Sequence, residues 1–347
     1  METKITIINR LENDIAVLKE ASRIIQESGT VVFPTETVYG LGANALDEKA
    51  VKKIFEAKGR PQDNPLIIHV CSKDITEYVE STPHVAQKLI DKFWPGPLTI
   101  ILNKRPIVPD ITSAGLKSIG IRMPSNEIAL KLIELSRVPI AAPSANISGR
   151  PSPTDVKRCI EDLSGRVDCI IGWKKSDVGL ESTIVDCTTN PPLVLRPGGI
   201  TLEMLKEIDK RIELDKGILA KPSEELKPKA PGMKYRHYAP KALVKIIKGK
   251  DEKVVEKINE IVDNYIYEGK KVGILASEKN ISSYTKGNVK CLGNNLEDVA
   301  KNLFEDLRVL DDLGVDVILS EAFEEKGVGI AVMNRLNKAA GFNIINV

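Results

Sequence analysis

Residues 31–70 read VVFPTETVYGLGANALDEKAVKKIFEAKGRPQDNPLIIHV, and the order of apolar and turn residues here sets the architecture of the first half of the chain. Thr30 to Phe33 and Leu66 to Val70 are apolar runs of strand length. Between them Asp47 is placed to cap a helix that turns Ala50, Val51, Ile54 and Phe55 inward, leaves Lys52, Lys53 and Lys58 on or near its outer edge, and stops at Gly59. Short, wholly apolar strands joined by an amphipathic helix predict an α/β sheet buried on both faces. Two such strands and a helix need far fewer hydroxyls, charges and glycines than this stretch contains. Pro34-Thr35-Glu36-Thr37 and Lys58-Gly59-Arg60-Pro61 therefore read as ligand-holding turns, and the stretch as a cradle for a nucleotide and a small amino acid.

Outward from this stretch the same texture continues. Leu11, Ile15, Leu18, Ala21 and Ile25 share one face of a helix over 11–28, and further strands are expected at 98–102, 118–124, 139–142, 168–171, 182–187 and 193–195, with a helix after Pro83 and another over 126–136. From Glu203 to Pro240 the apolar periodicity fades into KPSEELKPKAPGMKYRHYAP, a proline- and lysine-rich linker. Beyond it, strands at 242–247, 271–276, 289–292 and 315–320 alternate with helices at 251–267, 296–312 and 329–340, which predicts a small α/β domain with a parallel sheet. The expected division is thus 1–205, a linker over 206–240, and 241–347. A chain of 347 residues is long enough for two cores.

Composition narrows the function. A formal net charge of +2 gives no global field toward nucleic acid or membrane, so any anion site must arise from local clustering. The longest apolar runs are strand-sized and residues 1–30 lack a signal-like start, so the expectation is a cytoplasmic protein. Five scattered cysteines form no C-x-x-C pair and three histidines show no short spacing, which argues for reduced thiols and against a metal site.

Several motifs can be weighed on their own. Gly40-Leu41-Gly42-Ala43-Asn44-Ala45 fits a loose dinucleotide fingerprint, but it does not leave a strand directly and no acidic residue closes the second strand. There is no G-x-x-x-x-G-K-[ST] phosphate loop, and neither Ser144 nor Ser182 sits in a G-x-S-x-G elbow. Lys58 and Arg60 could merely complement a helix C-terminus, or they could cradle phosphate oxygens. Arg122 closes an apolar strand and calls for an anionic partner, protein or ligand. Pro143-Ser144-Ala145-Asn146 follows a buried strand, where open α/β sheets bind ligands, although a plain polar turn fits as well. Arg196 adds a cation at a strand end.

Taken together, PTETVYGL (34–41), KGRP (58–61), SIGIRMP (118–124), PSANISG (143–149) and LRPG (195–198) resemble the YrdC-like family of threonylcarbamoyl-AMP synthases, in order along the chain. The linker and tail resemble the longer, two-domain form. The resemblance implies a YrdC-like twisted open sheet with flanking helices, joined by a long linker to a smaller Rossmann-like α/β domain. It implies a reaction in which L-threonine, bicarbonate or CO2, and ATP give L-threonylcarbamoyl-adenylate and pyrophosphate, for t6A modification of adenosine 37 in tRNAs reading ANN codons. Thr35, His69, Arg122, Ala142, Ser144 and Ser182 would line the threonine pocket. Lys58, Arg60, Asn64, Ser118, Ser144, Asn146, Ser152 and Arg196 would hold ATP, with Lys58 and Arg60 as the catalytic cations and Mg²⁺ carried on the phosphates. Tyr238 would close over the nucleotide from a lid that also bears Tyr235, Arg236 and His237. Partners would be tRNA or a downstream threonylcarbamoyl-transferase complex, and the tail would position the lid or meet a partner.

The rival from another class is a double-stranded RNA or tRNA-binding module using Lys52, Lys53, Lys58 and Arg60. An aromatic content of 4% leaves few stacking platforms for it. A third reading, carbamoyl transfer from carbamoyl phosphate, lacks the additional acyl-phosphatase and zinc-finger segments of the enzymes that perform it.

Overall fold

A computed structural model describes residues 2–218, 228–233 and 237–347. They form two units, one of residues 2–148, 152–218 and 228–233, the other of residues 149–151 and 237–347. Among the described residues no helix is long and apolar enough to cross a membrane.

The first unit runs β1 (Lys4–Ile7), α1 (Ile15–Gln26), β2 (Val31–Phe33), β3 (Gly40–Asn44), α2 (Glu48–Lys58), β4 (Ile67–His69), α3 (His84–Phe93), β5 (Leu98–Asn103), α4 (Asp110–Ser113), β6 (Ser118–Arg122), α5 (Glu127–Ser136), β7 (Ile140–Ala141), α6 (Val156–Leu163), β8 (Cys169–Gly172), β9 (Thr183–Asp186), β10 (Leu193–Arg196), α7 (Leu202–Lys206) and β11 (Glu213–Leu214). Its strands make one mixed sheet in the order β1-β8-β2-β3-β7-β4-β6-β5-β9-β10-β11. Strand alternation divides the apolar residues between two cores. Val32, Leu41, Ile68, Ile100 and Ile121 pack with α2 and α3, whereas Val31, Phe33 and Ile140 pack with α1 and α5. Along β4, β6, β5 and β9 the alternate residues Ile67, Ile101 and Ile184 form a small cluster with Leu195, covered by Ala230 and flanked by Met233. This face of the sheet carries the functional side chains described below.

Three features depart from the sequence reading. Gly40 to Asn44 is a strand, antiparallel to β2 with Phe33 opposite Gly40, and no phosphate turn. Its glycines are steric: a Cβ on Gly42 would lie 2.7 Å from both Ile140 and the Phe33 ring. β1 and α6 were not foreseen. Within the stretch expected as linker, Glu213 and Leu214 pair in parallel with β10. Tyr235 and Arg236 lie outside the described residues. The five cysteines are all free; Cys159, Cys169 and Cys187 are buried and Cys71 is exposed.

The second unit runs β12 (Leu243–Lys248), α8 (Asp251–Tyr267), β13 (Val272–Ser277), a 3-10 turn (Glu278–Ser283), β14 (Asn288–Gly293), α9 (Leu296–Asp312), β15 (Val317–Glu321), α10 (Val328–Ala339) and β16 (Ile344–Asn346). Its sheet order is β14-β13-β15-β12-β16, and every pairing is parallel. A cavity of about 620 Å³ opens at the carboxyl ends of β12, β13, β14 and β15. Its charged walls are largely satisfied internally: Lys248 pairs with Glu325 and Lys279 with Asp251, both at 2.7 Å, and buried Glu321 accepts from Ser277 Oγ at 2.6 Å and Tyr284 Oη at 2.8 Å.

Candidate active site

Strand register builds one end of the site. His69 on β4, Arg122 on β6 and Thr99 on β5 are consecutive partners across three neighbouring strands, so their side chains leave the same face. Arg122 is buried; it donates to Thr37 Oγ1 at 2.9 Å and to the Gly96 carbonyl at 3.3 Å. Thr99 Oγ1 meets Ser182 Oγ at 2.8 Å, and Arg196, closing β10, donates to the Ser182 carbonyl at 3.0 Å and to its hydroxyl at 3.1 Å. His69 is wholly enclosed, edge-on to Phe33 with ring centroids 6.3 Å apart. Burial, with Arg122 and Arg196 beside it, lowers its pKa to about 3, so the imidazole is neutral at physiological pH. Its Nδ1 is buried and has no hydrogen-bond partner.

The Pro34–Tyr39 turn between β2 and β3 supplies the roof. Thr35 Oγ1 accepts from the amides of Thr37 and Val38 and donates to the Val38 carbonyl, which fixes the turn locally. The segment before β9 holds it from outside: Ser176 Oγ donates to the Thr35 carbonyl at 3.0 Å and Val178 N to the Glu36 carbonyl at 2.8 Å. Tyr39 Oη donates to the Trp173 carbonyl at 2.9 Å, and burial pushes its phenol well above the usual range. Glu36 projects inward. One of its oxygens lies 2.6 Å from Arg122 Nη2, both side chains being more than nine-tenths buried. The contact is an ion pair without hydrogen-bond alignment, and among the described residues neither Glu36 oxygen receives a hydrogen bond.

At the other end stand the cations of α2. Asp47 caps this helix by accepting from Lys49 N, and Gly59 ends it at φ 60°, the left-handed conformation in which glycine is unstrained. The turn carries Lys58 inward instead of leaving it at the outer edge: only 2% of it is exposed, and Nζ donates to the Ser144 carbonyl at 2.5 Å and to that of Asn146. Ser144 Oγ donates to Asn146 Oδ1 at 2.5 Å, and Ser148 N to the Lys58 carbonyl at 2.9 Å. Arg60 donates to the carbonyls of Asn64, at 3.3 Å, and Pro65, at 3.1 Å. Asn64 Oδ1 is buried without a partner. Ser152 Oγ donates to Glu181 Oε1 at 2.6 Å. Ala142 N donates to the Ile67 carbonyl at 3.0 Å, and half-buried Ser118 begins β6 on the face that bears Arg122.

Of the residues anticipated from sequence in this unit, His69, Ser118, Arg122, Ser182 and Arg196 stand in strands or at their ends, Thr35, Arg60, Asn64, Ala142, Ser144, Asn146 and Ser152 on loops, and Lys58 at the end of α2. Tyr238 belongs to the second unit, stacked on Phe304 with centroids 5.0 Å apart and faced by the Arg335 guanidinium. Glu36 and Thr37 were read only as part of the Pro34–Thr37 turn, and neither they nor Thr99 and Glu181 were given a role of their own. The available signal for Glu36 was a charge inside a hydroxyl turn between two buried strands. The basic patch required by an RNA-binding reading divides: Lys52 and Lys53 are exposed, while Lys58 and Arg60 are buried. Lys58, Arg60, Arg122 and Arg196 are all buried, as are the carboxylates of Glu36 and Glu181.

Comparison with known proteins agrees in extent and in kind. A family model named for Sua5, YciO and YrdC and described as telomere recombination matches residues 23–198, and a model described as the C-terminal domain of threonylcarbamoyl-AMP synthase matches residues 200–341. The chain is 52% identical over 331 residues to a threonylcarbamoyl-AMP synthase of Pyrococcus abyssi, covering 95% of this chain and 96% of that one. It is 44% identical to the synthase of Bacillus subtilis, over 99% of this chain and 100% of the relative. The crystal structure of P. abyssi Sua5 complexed with L-threonine superposes with a TM-score of 0.93 at 48% identity, over 100% of both chains.

Proposed function

The chain belongs to the Sua5, YciO and YrdC family of threonylcarbamoyl-AMP synthases, and from that premise we propose that it joins L-threonine, bicarbonate or CO2, and ATP into L-threonylcarbamoyl-adenylate with release of pyrophosphate. The observation that carries this reading is the placement of Arg122, His69 and Ser182 at one end of a sheet face whose other end holds Lys58, Arg60 and Asn146. Arg122 offers a guanidinium to the amino-acid carboxylate. Neutral His69, with its unpartnered Nδ1, and the Thr35, Ser144 and Ser182 hydroxyls offer hydrogen bonds to the threonine hydroxyl and amine. Lys58, Arg60 and Arg196 stabilise the charge that builds on the α-phosphate and on departing pyrophosphate while the carbamate oxygen of N-carboxy-threonine attacks in line. No covalent nucleophile is required.

Lys58 also ties the Ser144–Asn146 loop to the end of α2. Its charge is thus coupled to the backbone that would surround the nucleotide. Among the described residues no group of three or more His, Cys, Asp or Glu side chains could cage a metal ion. We assign Mg²⁺ to the phosphates of the incoming ATP, where it would neutralise charge. The product is the activated donor for t6A formation in tRNA reading ANN codons. Mass spectrometry of a mixture of ATP, bicarbonate and L-threonine should show the adenylate with wild type, and about 100-fold less or weaker with Lys58→Ala. Absence of a threonine- and bicarbonate-dependent adenylate with wild type refutes the function.

A further inference from the structure

Glu36 is the feature that the binding roles above leave unused. It is a buried carboxylate, none of the described residues donates a hydrogen bond to either of its oxygens, and its ion-pair contact among them is Arg122 at 2.6 Å. An anion so placed is held by that one counter-charge. Arg122 is also the group that the substrate carboxylate must engage. An α-amino acid whose carboxylate takes Arg122 Nη2 displaces Glu36 and, one carbon away, presents its ammonium to the displaced side chain.

Resting on the synthase reading, we propose that Glu36 is the base that deprotonates the threonine ammonium, and that it is released for this task when the substrate carboxylate takes over Arg122. The step balances. One proton passes from the ammonium nitrogen to Glu36 Oε, leaving a neutral amine and a neutral carboxylic acid; the amine lone pair then forms the N–C bond to CO2 as one C–O π bond opens to an oxyanion, and the second proton lost by nitrogen moves to that oxygen, giving N-carboxy-threonine as the carbamic acid. Exchange of an ammonium–carboxylate pair for two neutral groups is favoured where the surroundings are poorly polar. Engagement of Arg122 by the substrate carboxylate leaves Glu36 without its counter-charge at the moment the ammonium arrives. The empty site is thereby kept electrostatically closed, and the base appears only with an α-amino acid bound. Other charged or titratable groups near this turn are His69 on β4 with Arg196 beside it, Tyr39 at the turn's end with Cys159 and Asp155 near it, Glu181 before β9, and the exposed Lys174, Lys175 and Asp177 of the outer segment. His69 is neutral and flanked by arginines, so it is a poor rival for the proton.

The test compares wild type, Glu36→Gln and Glu36→Asp by adenylate formation from pH 6 to 9, threonine binding by calorimetry, and infrared difference spectra on adding threonine. Glu36→Gln should lower kcat at pH 7 by about 100-fold or more. Its rate should then climb toward pH 9 as solution supplies free amine, whereas wild type levels off earlier, and Glu36→Asp should recover part of the rate. Threonine binding should turn on a carboxylic-acid C=O band in wild type that Glu36→Gln lacks. Should Glu36→Gln fail to fold, the wild-type band and the Glu36→Asp profile still decide. A wild-type kcat and pH profile in Glu36→Gln overturns the proposal, as does a loss of kcat with an unchanged pH profile, or absence of the band in active wild type. Wild type that makes no adenylate at all refutes the synthase reading instead.

Discussion

Arg122→Ala separates two things that one guanidinium does, holding the fold of the turn and binding substrate. The side chain faces Glu36 at 2.6 Å, donates to Thr37 at 2.9 Å and to the Gly96 carbonyl at 3.3 Å, and is buried. Its removal leaves a carboxylate enclosed with no cation and no donor. Breaking a buried pair from one side costs roughly 3–5 kcal/mol. For a unit of this size that corresponds to a fall in melting temperature of roughly 6–20 °C. The same change removes the partner of the substrate carboxylate, a loss of roughly 2–5 kcal/mol in binding, or about 30-fold to several thousand-fold in threonine affinity. The double variant Arg122→Ala/Glu36→Gln dissects these terms. Because the stability penalty is mainly that of an orphaned charge, neutralising Glu36 should return about 2 kcal/mol of stability while threonine affinity stays low. Thermal or urea unfolding gives the first quantity and calorimetric titration with threonine the second. A single variant costing under about 1 kcal/mol, or a double variant no more stable than the single, would show that Glu36 and Arg122 do not depend on each other as argued.

Two further outcomes follow from the same geometry. His69 is neutral when folded because its pKa is lowered to about 3, against an ordinary value near 6.5, so its contribution is complete above pH 6.5 and is lost as pH falls toward 3. Between pH 6.5 and 5 this one group should remove about 2 kcal/mol of stability, and His69→Gln should lose correspondingly less over that interval; coincident pH dependences of the two proteins would refute the assignment. Serine, which lacks only a methyl group, should be turned over at kcat/KM about 10- to 200-fold below threonine, whereas valine, which leaves the hydroxyl's partners unpaired, should be rejected by about 10⁴ to 10⁵. Equal discrimination against both analogues would mean that the site does not recognise the hydroxyl.

Much of the fold is legible because buried strands such as Val31–Phe33 and Leu98–Leu102 are apolar runs, and because α2 bears a recognisable cap at Asp47. Gly40–Asn44 escaped because strand propensity is absent from a glycine-rich run. Its conformation is imposed by the Phe33 ring crossing Gly42, a contact that no local pattern reports. Lys58 was placed at an edge because helical periodicity alone cannot show that the loop carrying Ser144 and Asn146, some ninety residues on, closes over the helix end. The site itself was readable as a set of charged strand ends. What made them one set was family resemblance, since Arg122, Ser182 and Arg196 meet only through the order β6-β5-β9-β10. Glu36 was visible in the motif, but its isolation is a property of three-dimensional surroundings.

The row formed by His69, Arg122 and Thr99 fixes dimensions as well as chemistry. Neighbouring strands in a sheet stand about 4.8 Å apart, so the gap between recognition points is a lattice constant of the backbone that no single side chain can stretch. Inserting one residue into β6 would send Arg122 to the opposite side, where Ile121 packs in the core with α2 and α3, and retire the row altogether. Adaptation to a bulkier or smaller amino acid must therefore fall on the 34–39 turn, which can lengthen or shorten without disturbing the rungs beneath it.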